Sequence, residues 1–129
     1  MEIVADASVL LAVVLNEADR DWVIARTAEC ALAAPEILPY EVGNALIAVH
    51  RKGRLSEREL VRAFDICQSI AVRLTAVRIR DALRLAVRHQ VYAYDAYYLQ
   101  CCLENDLPLL SLDERMCAVA RKLKIEVME

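Results

Sequence analysis

The 129-residue sequence predicts a three-layer α/β/α sandwich around a central, mostly parallel sheet of about five short strands. Two observations carry this. Short apolar runs alternate with helix-patterned segments from one end of the chain to the other, and such alternation implies right-handed parallel crossovers with helices on both sheet faces. The length is that of one ordinary domain, so residues 1–129 are expected to form a single unit that buries about two-thirds of its unfolded surface.

"EIVA" (2–5) reads as a strand buried on both faces, followed by an apolar helix that opens at Ser8 as N-cap. "DRDWVIARTAE" predicts a second helix from about Asp19, and "CALAA" (30–34) a weak strand ended by Pro35. From Glu36 to Lys52, Leu38, Val42, Ala45 or Leu46, and Val49 recur at helical spacing, and Gly53 closes the helix. Pro39 falls in its first turn, where proline is tolerated. "LSERELVRAFDICQSI" is an amphipathic helix with Ser56-x-x-Glu59 as a capping box. "VRLTA" (72–76) reads as a strand, and "RIRDALRLAVRHQ" as a helix with Ile79, Leu83 and Val87 on one face. The last third adds a helix from about Ala93 to Asn105, strand "PLLSL" (108–112), a helix from about Glu114 to Leu123, and a short strand "IEV" (125–127). No linker, repeat or low-complexity segment interrupts the series.

Apolar residues make up 58% of the chain, high for a small domain, and the surplus points to a face covered by a partner. The longest nearly uncharged run, "IVADASVLLAVVL" (3–15), is too short for a bilayer and is broken by Asp6. The Met-Glu start lacks the basic opening of a secretion signal, so a cytoplasmic location is expected. Five cysteines show no finger or CxxC spacing and read as small buried apolar residues. A net charge of −3 argues against coating nucleic acid through bulk positive charge. Arginines nevertheless cluster in "HRKGR" (50–54) and between Arg73 and Arg88, where they form either a basic strip or a solvated helix face.

In an open parallel sheet, ligands bind beyond the carboxyl ends of the strands. Asp6 directly follows the first strand, Asp113 follows "PLLSL", and Asp95 opens the intervening helix. Each has a local explanation: a turn residue for Asp6, a first-turn dipole partner for Asp95, and for Asp113 a place inside the box Ser111-x-x-Glu114. Glu41 fits such explanations least, because it is expected about a turn and a half inside an apolar helix. No Lys or Arg adjoins Asp6, Glu41 or Asp95 in sequence to offset a buried charge. A hard divalent cation would do so. Carboxylates with water suit Mg²⁺ or Mn²⁺, and neither His50 nor His89 stands at zinc-like spacing.

Together these motifs resemble the PIN-domain ribonucleases, especially the small VapC-type toxins of toxin–antitoxin pairs. "VADASVLLAVVLNE" is similar to the family's opening D-x-S/T motif and "APEILPYEVGNAL" to its glutamate helix. "YAYDAYYLQCCLEND" is similar to its third-acid helix and "PLLSLDERM" to its fourth-acid loop. The resemblance implies a PIN-like fold in which Asp6, Glu41, Asp95 and Asp113 bind one or two Mg²⁺ or Mn²⁺ ions and catalyse endonucleolytic RNA hydrolysis, leaving 5′-phosphate and 3′-hydroxyl ends. Ser8 and Asn44 would be polar neighbours, Asn44 orienting Glu41 from three residues on. It also implies a cognate antitoxin and a homodimer. Two other readings stand beside it: a non-catalytic PIN-like module that binds metal or RNA, and a processing nuclease without toxin function. A dehalogenase-type phosphatase fits worse, since it requires an acid where Ser8 stands.

Overall fold

A computed structural model describes all 129 residues. Four parallel strands, β1 (Glu2–Ala5), β2 (Ala31–Pro35), β3 (Val72–Thr75) and β4 (Leu109–Leu110), lie in the order β3-β2-β1-β4. The expected fifth strand is a single parallel bridge, Leu109 to Val127, beside β4. "PLLSL" also forms only two residues of strand, because Ser111 turns away to hydrogen-bond at the sheet edge. Seven helices flank the sheet: α1 (Ala7–Val14), α2 (Arg20–Thr27), α3 (Leu38–Arg51), α4 (Glu57–Ser69), α5 (Ile79–His89), α6 (Ala93–Asn105) and α7 (Glu114–Lys122). None is long and apolar enough to cross a membrane.

Alternation along β1 divides the interior. Val4 enters a cluster of 21 buried residues with Leu46, Leu85, Leu99 and Leu109, while Ile3 and Ala5 enter a second of six with Val9, Val23 and Leu110. These are the two apolar layers of a sheet covered on both faces. The cysteines are all free, and burial pushes the thiols of Cys67, Cys101, Cys102 and Cys117 upward, which suits inert core residues.

Local signals explain most helix ends. The Ser56–Glu59 capping box forms in both directions, at 3.0 and 3.1 Å. Gly53 ends the turn after α3 at φ +74°, a conformation open to glycine. One expectation needs correction. The N-cap of α1 is Asp6, whose carboxylate reaches the Val9 amide, and Ser8 lies inside the helix. Helix α5 buries Ala82 and Leu85, leaving Ile79, Leu83 and Val87 exposed in a row one turn apart.

Ion pairs absorb much of the arginine strip. Arg73 makes a bidentate pair with Glu2 at 2.8 and 2.9 Å, Arg78 meets Glu104 at 3.7 Å, and Arg84 meets Asp81 at 3.3 Å. Arg80 and Arg88 flank the exposed apolar row of α5 without an acidic partner. Chemical denaturation will distinguish the two sides of this helix: Leu85→Ala is expected to cost about 2–5 kcal/mol, and Val87→Ala within about 0.5 kcal/mol.

Candidate active site

Asp6 ends the central strand β1 and is 5% exposed. Three donors grip it: Ser8 Oγ at 2.5 Å and the Val9 amide at 3.3 Å on Oδ1, and Ser111 Oγ at 2.5 Å on Oδ2. Both serines relay backbone hydrogen bonds, since Ser8 Oγ accepts from the Leu112 amide at 3.3 Å and Ser111 Oγ from the Asp113 amide at 3.0 Å. Each hydroxyl proton is thereby committed to Asp6. The pair stitches the β1–α1 turn to the β4–α7 loop around one carboxylate.

Ser111 was legible only as a partner for Glu114 in a helix cap, and that box does not form. Asp113 is the N-cap of α7 instead, its Oδ1 accepting from the Arg115 and Met116 amides at 2.9 and 3.1 Å. Asp113 is exposed, whereas Asp95, in the first turn of α6, is half-buried. Glu41 is also half-buried, and because α3 begins at Leu38 it lies in the first turn rather than a turn and a half inside. A dipole role is therefore open to it. Asn44, one turn on, is exposed and makes no hydrogen bond to Glu41.

The fold brings the four acids within electrostatic reach of one another. Asp6 and Asp95 each interact with all three others. Burial, then repulsion from Asp113, raises the Asp6 carboxyl above its ordinary value, against the pull of Ser111, Ser8 and Val9. Burial also raises Glu41, with Asp6 and Asp95 adding repulsion against a favourable influence of the Tyr98 hydroxyl. Asp95 is raised by burial and by Asp113 and Asp6, and only Arg115 opposes them. Arg115, anchored by a 2.7 Å hydrogen bond to the Gln90 carbonyl, is the cation that sequence adjacency did not reveal. Chain separation hid it.

Glu41 Oε1 and the Tyr98 hydroxyl are both buried without a hydrogen-bond partner. An orphaned carboxylate oxygen among like charges is an unmet demand for positive charge. The donor set is entirely oxygen, which fits Mg²⁺ or Mn²⁺ and suits zinc poorly. The acids do not close into a ready coordination shell, since no group of three is drawn together tightly enough to hold an ion.

The family model for the PIN domain matches residues 3–122. The chain belongs to the PIN-domain family. Ribonuclease VapC3 of Pyrobaculum aerophilum is 31% identical over 122 residues, covering 90% of this chain and 92% of that protein. The PIN-like architecture is shared with the crystal structure of PAE2754, also from Pyrobaculum aerophilum, at TM-score 0.73 and 27% identity over 92% of this chain and 84% of that one. VapC20 of Mycobacterium tuberculosis, a sarcin-ricin loop cleaving toxin, shares the fold at TM-score 0.69 and 20% identity, covering 90% of this chain and 93% of that one.

A raised carboxyl makes the folded PIN domain hold its proton more tightly than the unfolded chain does. The stability contributed by protonated Glu41 is thus full below the unfolded value, about 4.3, and is lost as pH rises through the higher folded value. Without added metal, Glu41→Gln is expected to raise the melting temperature, with the gap over the parent widening from pH 4 to pH 8 in calorimetry. Adding Mn²⁺ should narrow it by stabilising the parent.

Proposed function

We propose that this PIN-domain protein is a Mg²⁺- or Mn²⁺-dependent endoribonuclease acting as the toxin of a toxin–antitoxin pair. The observation that carries the metal requirement is the set of mutually repelling acids, Asp6 buried and Glu41 and Asp95 half-buried, with an unpartnered oxygen on Glu41. The ribonuclease assignment of the 31% identical relative supports RNA as substrate.

In this reading Asp6, Glu41, Asp95 and Asp113 hold one or two ions, with Asp6 kept in a fixed orientation by Ser8, Ser111 and the Val9 amide. An ion held by these residues would supply a more acidic water and offset charge on the phosphate oxygens. Glu41 brings a buried oxygen without a hydrogen-bond partner, beside the Tyr98 hydroxyl that favours its ionised form, and Asp95 and Asp113 extend the acidic lining toward solvent. Arg115, steadied by the Gln90 carbonyl, offers positive charge to an RNA phosphate beside Asp95. The products carry 5′-phosphate and 3′-hydroxyl ends.

A cognate antitoxin silences the cleft by covering or filling it. The exposed row of Ile79, Leu83 and Val87 supports a homodimer, which a strictly monomeric sedimentation profile at micromolar concentration would contradict. A cytoplasmic location belongs to the same reading, since cellular RNA would be the substrate. One observation favours a second reading, a non-catalytic module: the acids do not close into a coordination shell by themselves.

Asp6→Asn and Asp95→Asn are each expected to lower Mn²⁺-dependent cleavage of single-stranded RNA by about a hundredfold or more and to relieve growth inhibition. Toxicity that survived both substitutions would refute the mechanism. Parent protein that bound Mn²⁺ yet left several RNAs intact would favour the binding module.

A further inference from the structure

Beside the acids, along the same carboxyl edge of the sheet, lies an apolar groove of about 350 Å³. It is lined by Tyr40, Tyr94, Tyr97, Val77 and Ile79, with Glu36 as its one charged residue. The acids at Asp6 and Asp113 follow β1 and β4, whereas Glu36 and Val77 follow β2 and β3. In the order β3-β2-β1-β4, the acidic cleft and the groove are therefore neighbouring stretches of one rim.

Helices α3 and α6 connect them residue by residue. Tyr40 immediately precedes Glu41, and Tyr94 immediately precedes Asp95. On α6, Asp95 and Tyr98 are three apart and belong to the acid cluster, while Tyr94 and Tyr97, also three apart, line the groove. Tyr40 is 76% and Tyr94 54% exposed, large aromatic area left in water. The Tyr94 and Tyr97 rings meet edge to face, with centroids 6.1 Å apart, which holds Tyr94 upright at the groove wall.

We propose that this groove seats one nucleobase of single-stranded RNA, next to the phosphate that the acids address, and that Tyr40 and Tyr94 are its stacking surfaces. The chemistry of the lining selects that occupant. It contains no Lys or Arg, so it offers nothing to a phosphate or an acidic peptide. Its volume is at the lower end of the range for small-ligand sites, about 300–1,000 Å³, which suits a single planar group. Single-stranded nucleic acid is held by stacking of its bases on exposed aromatic faces together with positive charge along its backbone, and this groove supplies the aromatic faces. Glu36 adds an acceptor for an exocyclic amine of the base.

The proposal rests on the nuclease reading for the identity of the ligand, so the test separates binding from cleavage. Anisotropy of a fluorescein-labelled single-stranded RNA is measured with the full-length parent, Tyr94→Ala, Tyr94→Phe and Tyr40→Ala in Ca²⁺, and cleavage is followed separately in Mn²⁺. Stacking predicts a Kd about tenfold weaker for each alanine variant and a near-parental value for Tyr94→Phe, which keeps the ring. In parent protein, one abasic nucleotide beside the labelled bond should produce the same loss, and it should add nothing to Tyr94→Ala. This arm requires no altered protein. Unchanged Kd in both alanine variants, or full affinity for every abasic RNA, would overturn the assignment. So would weakened binding that coincides with a dimer becoming a monomer in sedimentation while abasic RNA binds normally, since the groove would then be a contact between copies. Parent that binds with this pattern but does not cleave in Mn²⁺ would retain the groove and refute the nuclease reading alone.

Discussion

Four carboxylates from four separate segments share one end of a parallel sheet, and Asp6 is the residue on which that arrangement turns. A buried ionised carboxylate in an apolar interior is costly unless hydrogen bonds or opposite charge compensate it. Two serine hydroxyls and a backbone amide supply the hydrogen bonds, at 2.5 to 3.3 Å. No cation opposes the burial and the Asp113 charge that raise the Asp6 carboxyl. The site is organised but electrostatically incomplete, a condition that the divalent cation of the proposed nuclease reading would relieve.

That constraint explains features outside the cleft. The strand β4 ends at Leu110; the next residue, Ser111, turns its hydroxyl to Asp6, and Asp113 caps α7. Helix α6 carries Asp95 on one face and tyrosines on the next, so the same helix that completes the acidic cleft also shapes the groove beside it. Charge is concentrated in one place, and the rim around it is left apolar and aromatic.

Local chemistry made much of this readable from the sequence. The capping box at Ser56 and Glu59 and the span of α6 from Ala93 to Asn105 rest on signals within a few residues of one another, and the parallel sheet on the alternation of such local segments along the chain. The four acids were found through their places after strands and at helix starts, and through the family motifs around them. What stayed hidden depends on contacts between distant segments. Ser111 meets Asp6 across 105 positions, and Arg115 reaches the carbonyl of Gln90 across 25. Ile79, Leu83 and Val87 do share one face of α5, but periodicity alone does not say which stripe faces inward, and the buried one is that of Ala82 and Leu85.

The central claim is that the acids at the sheet edge are a metal site. Anomalous diffraction from crystals of the chain soaked in Mn²⁺ tests it directly. The account predicts a manganese peak about 2.1 Å from carboxylate oxygens of at least two of Asp6, Glu41, Asp95 and Asp113, with the acids drawn inward. A fully soaked crystal with no peak at this edge, or with manganese held only elsewhere on the molecule, would contradict it.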